Sequence, residues 1–176
     1  HSFPTRRSSD LELIDDGGTT TGIRLKITDP FYNGFNTSGA TSVSGAAEVF
    51  PVTAVMDNFF GHTNAWGTTP ANPTGVIRFT GLSPDKYYSF TAFGSRAGVA
   101  DNRETKFEYL GAGEAVHSLL NTSSNSSQVA VTSNVRPTAE GVITLTVSAG
   151  PANNQAERFF YIGALKIDIS EAPLSF

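Results

Sequence analysis

Apolar side chains recur at every second position in several stretches of this chain, and that period constrains its fold more than any other feature. Ile23, Leu25 and Ile27 alternate with Arg24, Lys26 and Thr28, and Ile143, Leu145 and Val147 alternate with Thr144, Thr146 and Ser148. Leu165, Ile167 and Ile169 likewise alternate with Lys166 and Asp168. Successive side chains of an extended strand point to opposite faces, so this pattern gives one apolar face and one face left to water. Shorter stretches at 76–80, 87–93, 105–110, 116–120 and 128–132 read as further strands. Turn chemistry separates them at Asp16-Gly17-Gly18, Ser83-Pro84-Asp85, Gly111-Ala112-Gly113, Arg136-Pro137 and Gly150-Pro151. The expectation is an all-β domain, a β-sandwich or jelly roll of roughly eight to ten antiparallel strands. The one helical candidate is short and lies near 52–60.

A local motif sharpens this. Gly81-Leu82-Ser83-Pro84-Asp85-Lys86-Tyr87-Tyr88 resembles the turn before a strand in fibronectin-type sandwiches, where a tyrosine hydroxyl bonds back to the turn backbone. Tyr88 is then expected to point inward with Phe90.

Bulk properties exclude several functions. A chain of 176 residues suits one domain with a proper core. A net charge of −4, with no basic run beyond Arg6-Arg7, argues against nucleic acid, which needs a cationic surface to neutralise phosphates. No apolar stretch is long enough to form a membrane-spanning helix. The absence of cysteine rules out disulfides, zinc–thiolate sites and a thiol nucleophile. Charged residues are only 16%, so the polar surface comes from Ser, Thr, Asn and Gly, a balance that suits an exported bacterial module. Asn-x-Ser/Thr triplets at Asn36, Asn121 and Asn125 are expected by chance in such a composition.

Residues 1–11 resemble the translation of a common short-read sequencing adapter and are set aside from fold reasoning. On that reading the native domain runs over 12–170, without its first strand if the adapter has replaced it, and 171–176 begin a linker.

No constellation of catalytic type stands out. Gly94-Ser95-Arg96-Ala97-Gly98 lacks nucleophile-elbow spacing, so an esterase-like hydrolase built on Ser95 with His62 or His117 is disfavoured. Asp101 and Glu104 lie beside Arg96 and Arg103, where an ion-pair network explains them more cheaply than a glycosidase pair. No cofactor or metal centre is expected, since neither a zinc ligand set nor a phosphate-cradling loop is present. Loop oxygens leave a structural Ca²⁺ as the one alternative, with Asp15, Asp16, Asp29 and Asp101 as candidates, against the preferred reading of ordinary turn aspartates.

Two features point to binding. Phe31, Tyr32 and Phe35 surround Asn33-Gly34, and Phe59, Phe60 and Trp66 flank 61–65. Exposed rings offer flat apolar faces on which pyranose C–H groups stack. Phe59 and Phe60 read better as core, whereas Trp66, set among small residues, is the candidate platform with Phe31 and Tyr32 nearby. The loop over 93–106 gathers Arg96, Asp101, Asn102, Arg103 and Glu104 in a chain otherwise poor in charge. Bidentate Arg–carboxylate pairs pin a loop, and the same groups can hydrogen-bond sugar hydroxyls, so Arg96, Asp101 and Arg103 are candidate polar contacts.

From Ile14 to Ile169 the chain resembles a module that recurs in secreted multidomain proteins of environmental bacteria. The resemblance rests on Thr21-Gly22-Ile23-Arg24-Leu25-Lys26-Ile27-Thr28-Asp29-Pro30, on Phe93-Gly94-Ser95-Arg96 with Asp101-Asn102-Arg103-Glu104-Thr105, and on Phe160-Tyr161-Ile162-Gly163-Ala164-Leu165. It implies a jelly roll akin to galactose-binding-like domains, set beside polysaccharide-active enzymes or sorting domains in covalently linked neighbours. Fold analogy transfers no ligand. The combined expectation is a non-catalytic carbohydrate-binding or carbohydrate-associated module with a polysaccharide partner, secreted or at the cell surface. The rival is a structural spacer or adhesive repeat without a small ligand.

Overall fold

The structure is a computed structural model that describes residues 11–175. The adapter-like residues 1–10 fall outside the described residues, whereas Leu11 opens the first strand. In chain order the strands are β1 (Leu11–Ile14), β2 (Thr20–Asp29), β3 (Phe59–His62), β4 (Thr74–Thr80), β5 (Tyr87–Phe93) and β6 (Glu104–Leu110). They continue with β7 (Val116–Asn121), β8 (Ala130–Val135), β9 (Ile143–Ala149), β10 (Phe159–Ile162) and β11 (Ala164–Ser170). Eleven strands among the described residues exceed the eight to ten expected, because β3 and β10 lack an alternating pattern and β1 begins within the residues set aside as adapter-like. The helical candidate shrinks to α1 (Val52–Val55), preceded by a 3₁₀ turn at Gly45–Val49. Phe59 and Phe60 leave the helical path because they join a β-ladder.

All strand pairs are antiparallel. One sheet has the order β1-β2-β4-β9-β6-β7, a second β11-β5-β8, and β10-β3 form a separate ribbon. The core fills the space between the sheets. Phe79, Phe107, Ile143, Leu145 and Val147 enter it from the larger sheet, and Tyr88, Phe90, Ala92, Ala130 and Val135 from the smaller. This is a jelly-roll β-sandwich, built by the alternation read in the chain. Burying a full apolar side chain of this size stabilises by about 1.5–3 kcal/mol, which is why the register is held so firmly.

The tyrosine expected to close the turn does so. Tyr88 is buried, and its hydroxyl accepts a hydrogen bond from the Ser83 N–H at 2.8 Å. Phe93, one residue beyond Ala92, has the opposite parity and faces outward, where Ala40, Ala47, Phe50 and Val55 cover it. The 40–55 segment is thus a lid over the outer face of the smaller sheet. Ile169 departs from its pattern: it is 48% exposed, because it sits at the end of the outermost strand and overhangs the core. Further along, Leu174 exchanges backbone hydrogen bonds with the Asn134 side chain at 2.7 and 2.9 Å.

Candidate functional site

The β3–β10 ribbon places the candidate site. Its register pairs Phe159 with His62, Phe160 with Gly61, Tyr161 with Phe60 and Ile162 with Phe59. Directly opposed residues share a face, so Phe59, Phe160 and Ile162 go to the core while Phe60, His62, Phe159 and Tyr161 form the other surface. Gly61 is required by this packing. A Cβ there would fall within 3.0 Å of the Phe160 ring and of the Asn72 carbonyl oxygen.

On the outward face Phe60, Phe159 and Tyr161 form one aromatic cluster with Tyr32 packed against it. The Tyr32 N–H donates to the Phe60 carbonyl at 2.8 Å, which hangs the 31–36 loop on the ribbon. Trp66 enters from the other side on a tight turn. Its N–H and carbonyl both pair with Thr69, and Gly67 takes φ +57, as the first central position of a II′ turn requires. The indole lies edge-on to Phe159 at 5.4 Å, with Tyr32 and His62 at 6.0 and 6.1 Å. These contacts fix the ring while leaving Trp66 44% exposed. His62 is buried beneath, its Nδ1–H donated to the Asn64 carbonyl at 2.8 Å.

A cleft of about 290 Å³ opens over this surface, lined by Trp66, Phe60, Phe159, Tyr161, Phe35 and Asn36 together with Arg96 and Arg103. The two arginines differ. Arg103 is paired: Nε and Nη2 donate to the two Asp101 carboxylate oxygens at 2.9 and 3.1 Å, and Nη1 donates to the Tyr161 hydroxyl at 2.6 Å. Its guanidinium also lies over the Phe159 and Tyr161 rings at 5.6 and 6.0 Å. Burial works against the Arg103 charge, but the bonds to Asp101 and Tyr161 outweigh it and raise its pKa. Burial likewise raises the Tyr161 phenol, with Arg103 pulling the other way. Arg96 makes one long contact, Nη1 to Asn36 Oδ1 at 3.4 Å.

The structure therefore brings Trp66, Arg96 and Arg103 together in the cleft lining, while Tyr32 packs against Phe60 and Trp66 without lining it. Asp101 stands behind Arg103 and does not line the cleft. Phe31 is buried at 6% exposure and offers no face to a ligand, because its ring lies over Gly75, where a Cβ would fall within 3.0 Å of it, and stacks on Phe59. Sequence reasoning missed Phe159, Tyr161 and Asn36 as site residues and assigned Phe60 to packing alone. The aromatic run at 159–161 was the available signal.

Hydrogen bonds tie the charged loop over 93–106 to its neighbours. The Asn102 N–H donates to Asn154 Oδ1 at 2.7 Å, and Glu104 accepts the Ala152 N–H at 2.8 Å. Ser95 is buried, with its hydroxyl donated to the Asn125 carbonyl at 2.7 Å, which removes it as a nucleophile. His117 lies exposed on β7. Of the calcium candidates, Asp15 accepts the Thr19 N–H, Asp29 accepts the Thr74 hydroxyl and Asp101 pairs with Arg103. Among the described residues no group of three His, Asp or Glu side chains gathers as a metal site would need. No helix among the described residues is long and apolar enough to cross a membrane.

No protein-family model matches the sequence, and no curated protein matches it either. Among solved structures, the chain is similar to TmCBM61 in complex with β-1,4-galactotriose, at 12% identity and a TM-score of 0.40, covering 84% of this chain and 88% of that one. It is also similar to Xyl-CBM35 in complex with a glucuronic acid containing disaccharide, at 15% identity and a TM-score of 0.38, covering 86% and 99%. A Ruminococcus gnavus fucosidase in complex with fucose follows at 12% identity and a TM-score of 0.35, covering 83% of this chain and 25% of that one.

Proposed function

We propose that this domain is a non-catalytic carbohydrate-binding module, and that its cleft holds a pyranose against the indole of Trp66. The observation that carries the reading is the Trp66 ring itself. It is held edge-on by three other rings, is 44% exposed, and stands at the mouth of a cleft whose rim carries Asn36 and Arg96. A rigid apolar face beside a few polar groups suits a sugar, which presents C–H groups on one side and hydroxyls at its edge. A shallow site of this size supports Kd values of roughly 10⁻³–10⁻⁵ M, strengthened where neighbouring modules bind the same polymer. The low charge and the family resemblance support export from a bacterial cell.

Affinity electrophoresis of the folded protein against soluble plant and algal polysaccharides tests this. The expected result is retardation by at least one polymer, with Trp66→Ala weakening it by about thirtyfold, as loss of a central aromatic anchor does. Retardation that survives Trp66→Ala removes the platform. No retardation by any polymer moves the assignment to a structural spacer.

A further inference from the structure

The cleft carries a charge that no ion pair among the described residues neutralises. The charge of Arg103 is paired with Asp101, whereas among the described residues the Arg96 guanidinium meets only the neutral amide oxygen of Asn36, at 3.4 Å. Among the described residues no ion pair includes Arg96, and no carboxylate lines the cleft. This occurs in a chain whose net charge is −4, so the cation is local and set against the overall balance. Its backbone is held firmly. The Arg96 N–H donates to the Thr122 carbonyl, and the Arg96 carbonyl accepts the Ser124 N–H, both at 2.8 Å. The root of the side chain is thus anchored while its donor fork keeps spare N–H groups beside Trp66, Phe60 and Tyr161.

A guanidinium fork matches a carboxylate in two parallel hydrogen bonds, and a partly sheltered site strengthens such bonds relative to open water. We propose that the cleft takes a uronic acid residue of an acidic polysaccharide, its ring face on Trp66 and its carboxylate on Arg96. The proposal rests on the carbohydrate-binding reading and narrows it to sugars bearing a carboxylate.

The test compares polygalacturonate, alginate and glucuronoxylan with the carboxyl-reduced form of each, by affinity electrophoresis of the full chain. A sulfated galactan lacking uronate serves as a second anionic source. Binding to one polyuronide is expected to exceed binding to its reduced form by about tenfold, the worth of a hydrogen bond to a charged group. Arg96→Gln should erase that advantage while leaving residual retardation, and Arg96→Lys should restore part of it, supplying charge without the fork. Reduction of the polymer alters no residue, so it reads the carboxylate even where a variant folds poorly. Equal binding of parent and reduced polymers, or of the sulfated galactan and the polyuronide, overturns the proposal and leaves the carbohydrate reading standing. No retardation by any polymer overturns both.

Discussion

Replacing Asp101 by Asn would separate a pinning role from a ligand-contact role for the charged loop. The substitution keeps the shape of the side chain and removes its charge. It also turns an amide N–H₂ towards Nη2 or Nε of Arg103, which now donate to carboxylate oxygens at 3.1 and 2.9 Å. One donor pair is then opposed, and the guanidinium keeps one bond to the amide oxygen, the Tyr161 hydroxyl at 2.6 Å and the two ring faces. An exposed ion pair contributes about 0–1 kcal/mol, and breaking a buried one costs about 3–5 kcal/mol. With side-chain exposures of 13% for Arg103 and 32% for Asp101, this pair lies between those limits, at about 2 kcal/mol. In a domain of this length that corresponds to a fall in melting temperature of roughly 4–8 °C.

Urea denaturation is a suitable assay, because the chain has one tryptophan and that residue sits in the cleft. The midpoint should fall while the denaturant slope stays constant, the signature of a change in stability without a change in the surface exposed on unfolding. Added salt should shrink the difference only slightly, since a partly buried pair is poorly screened. A stability change below about 0.5 kcal/mol would refute the pinning argument, placing the pair among surface ion pairs of no consequence.

Two tyrosines with buried rings should respond in opposite directions. Tyr88→Phe leaves the Ser83 N–H without its partner and should cost about 1–2 kcal/mol. Tyr109→Phe removes a buried hydroxyl that has no partner and whose phenol is pushed up by burial, so stability should hold or rise by about 1 kcal/mol. Equal losses in the two variants, read by the same denaturation curves, would contradict this. Gly75→Ala should cost about 1–3 kcal/mol by driving a Cβ into the Phe31 ring, with part of the loss recovered when Phe31→Leu is combined with it. No recovery in the double variant would mean that the strain lies elsewhere.

The elements legible in the sequence are those with one face in the core and one in water. β9 is the clearest: Ile143, Leu145 and Val147 are buried, while Thr144, Thr146 and Ser148 between them are not. β3 and β10 were hidden for the opposite reason. Phe59-Phe60 and Phe159-Phe160-Tyr161-Ile162 are apolar on both faces, one turned to the core and one to the cleft, so no period of two survives. The candidate site inherits that difficulty. Trp66 and Tyr32 could be picked out as aromatic residues in loops, and Arg96 and Arg103 as charges in a charge-poor chain, because each stands out against its own neighbours. Phe159 and Tyr161 become site residues only through pairing with a strand about a hundred positions earlier in the chain, a long-range register that no local pattern encodes. The same ribbon explains why Phe31 and Tyr32 part company, one going to the core and the other to the aromatic cluster beside the cleft. Adjacent residues of an extended segment face opposite ways, and here one lies over Gly75 in the core while the other packs against Phe60 at the cleft. Doubly apolar strands are therefore where this sandwich conceals its candidate site: the residues that complete the cleft are read as core until their partner strand is known.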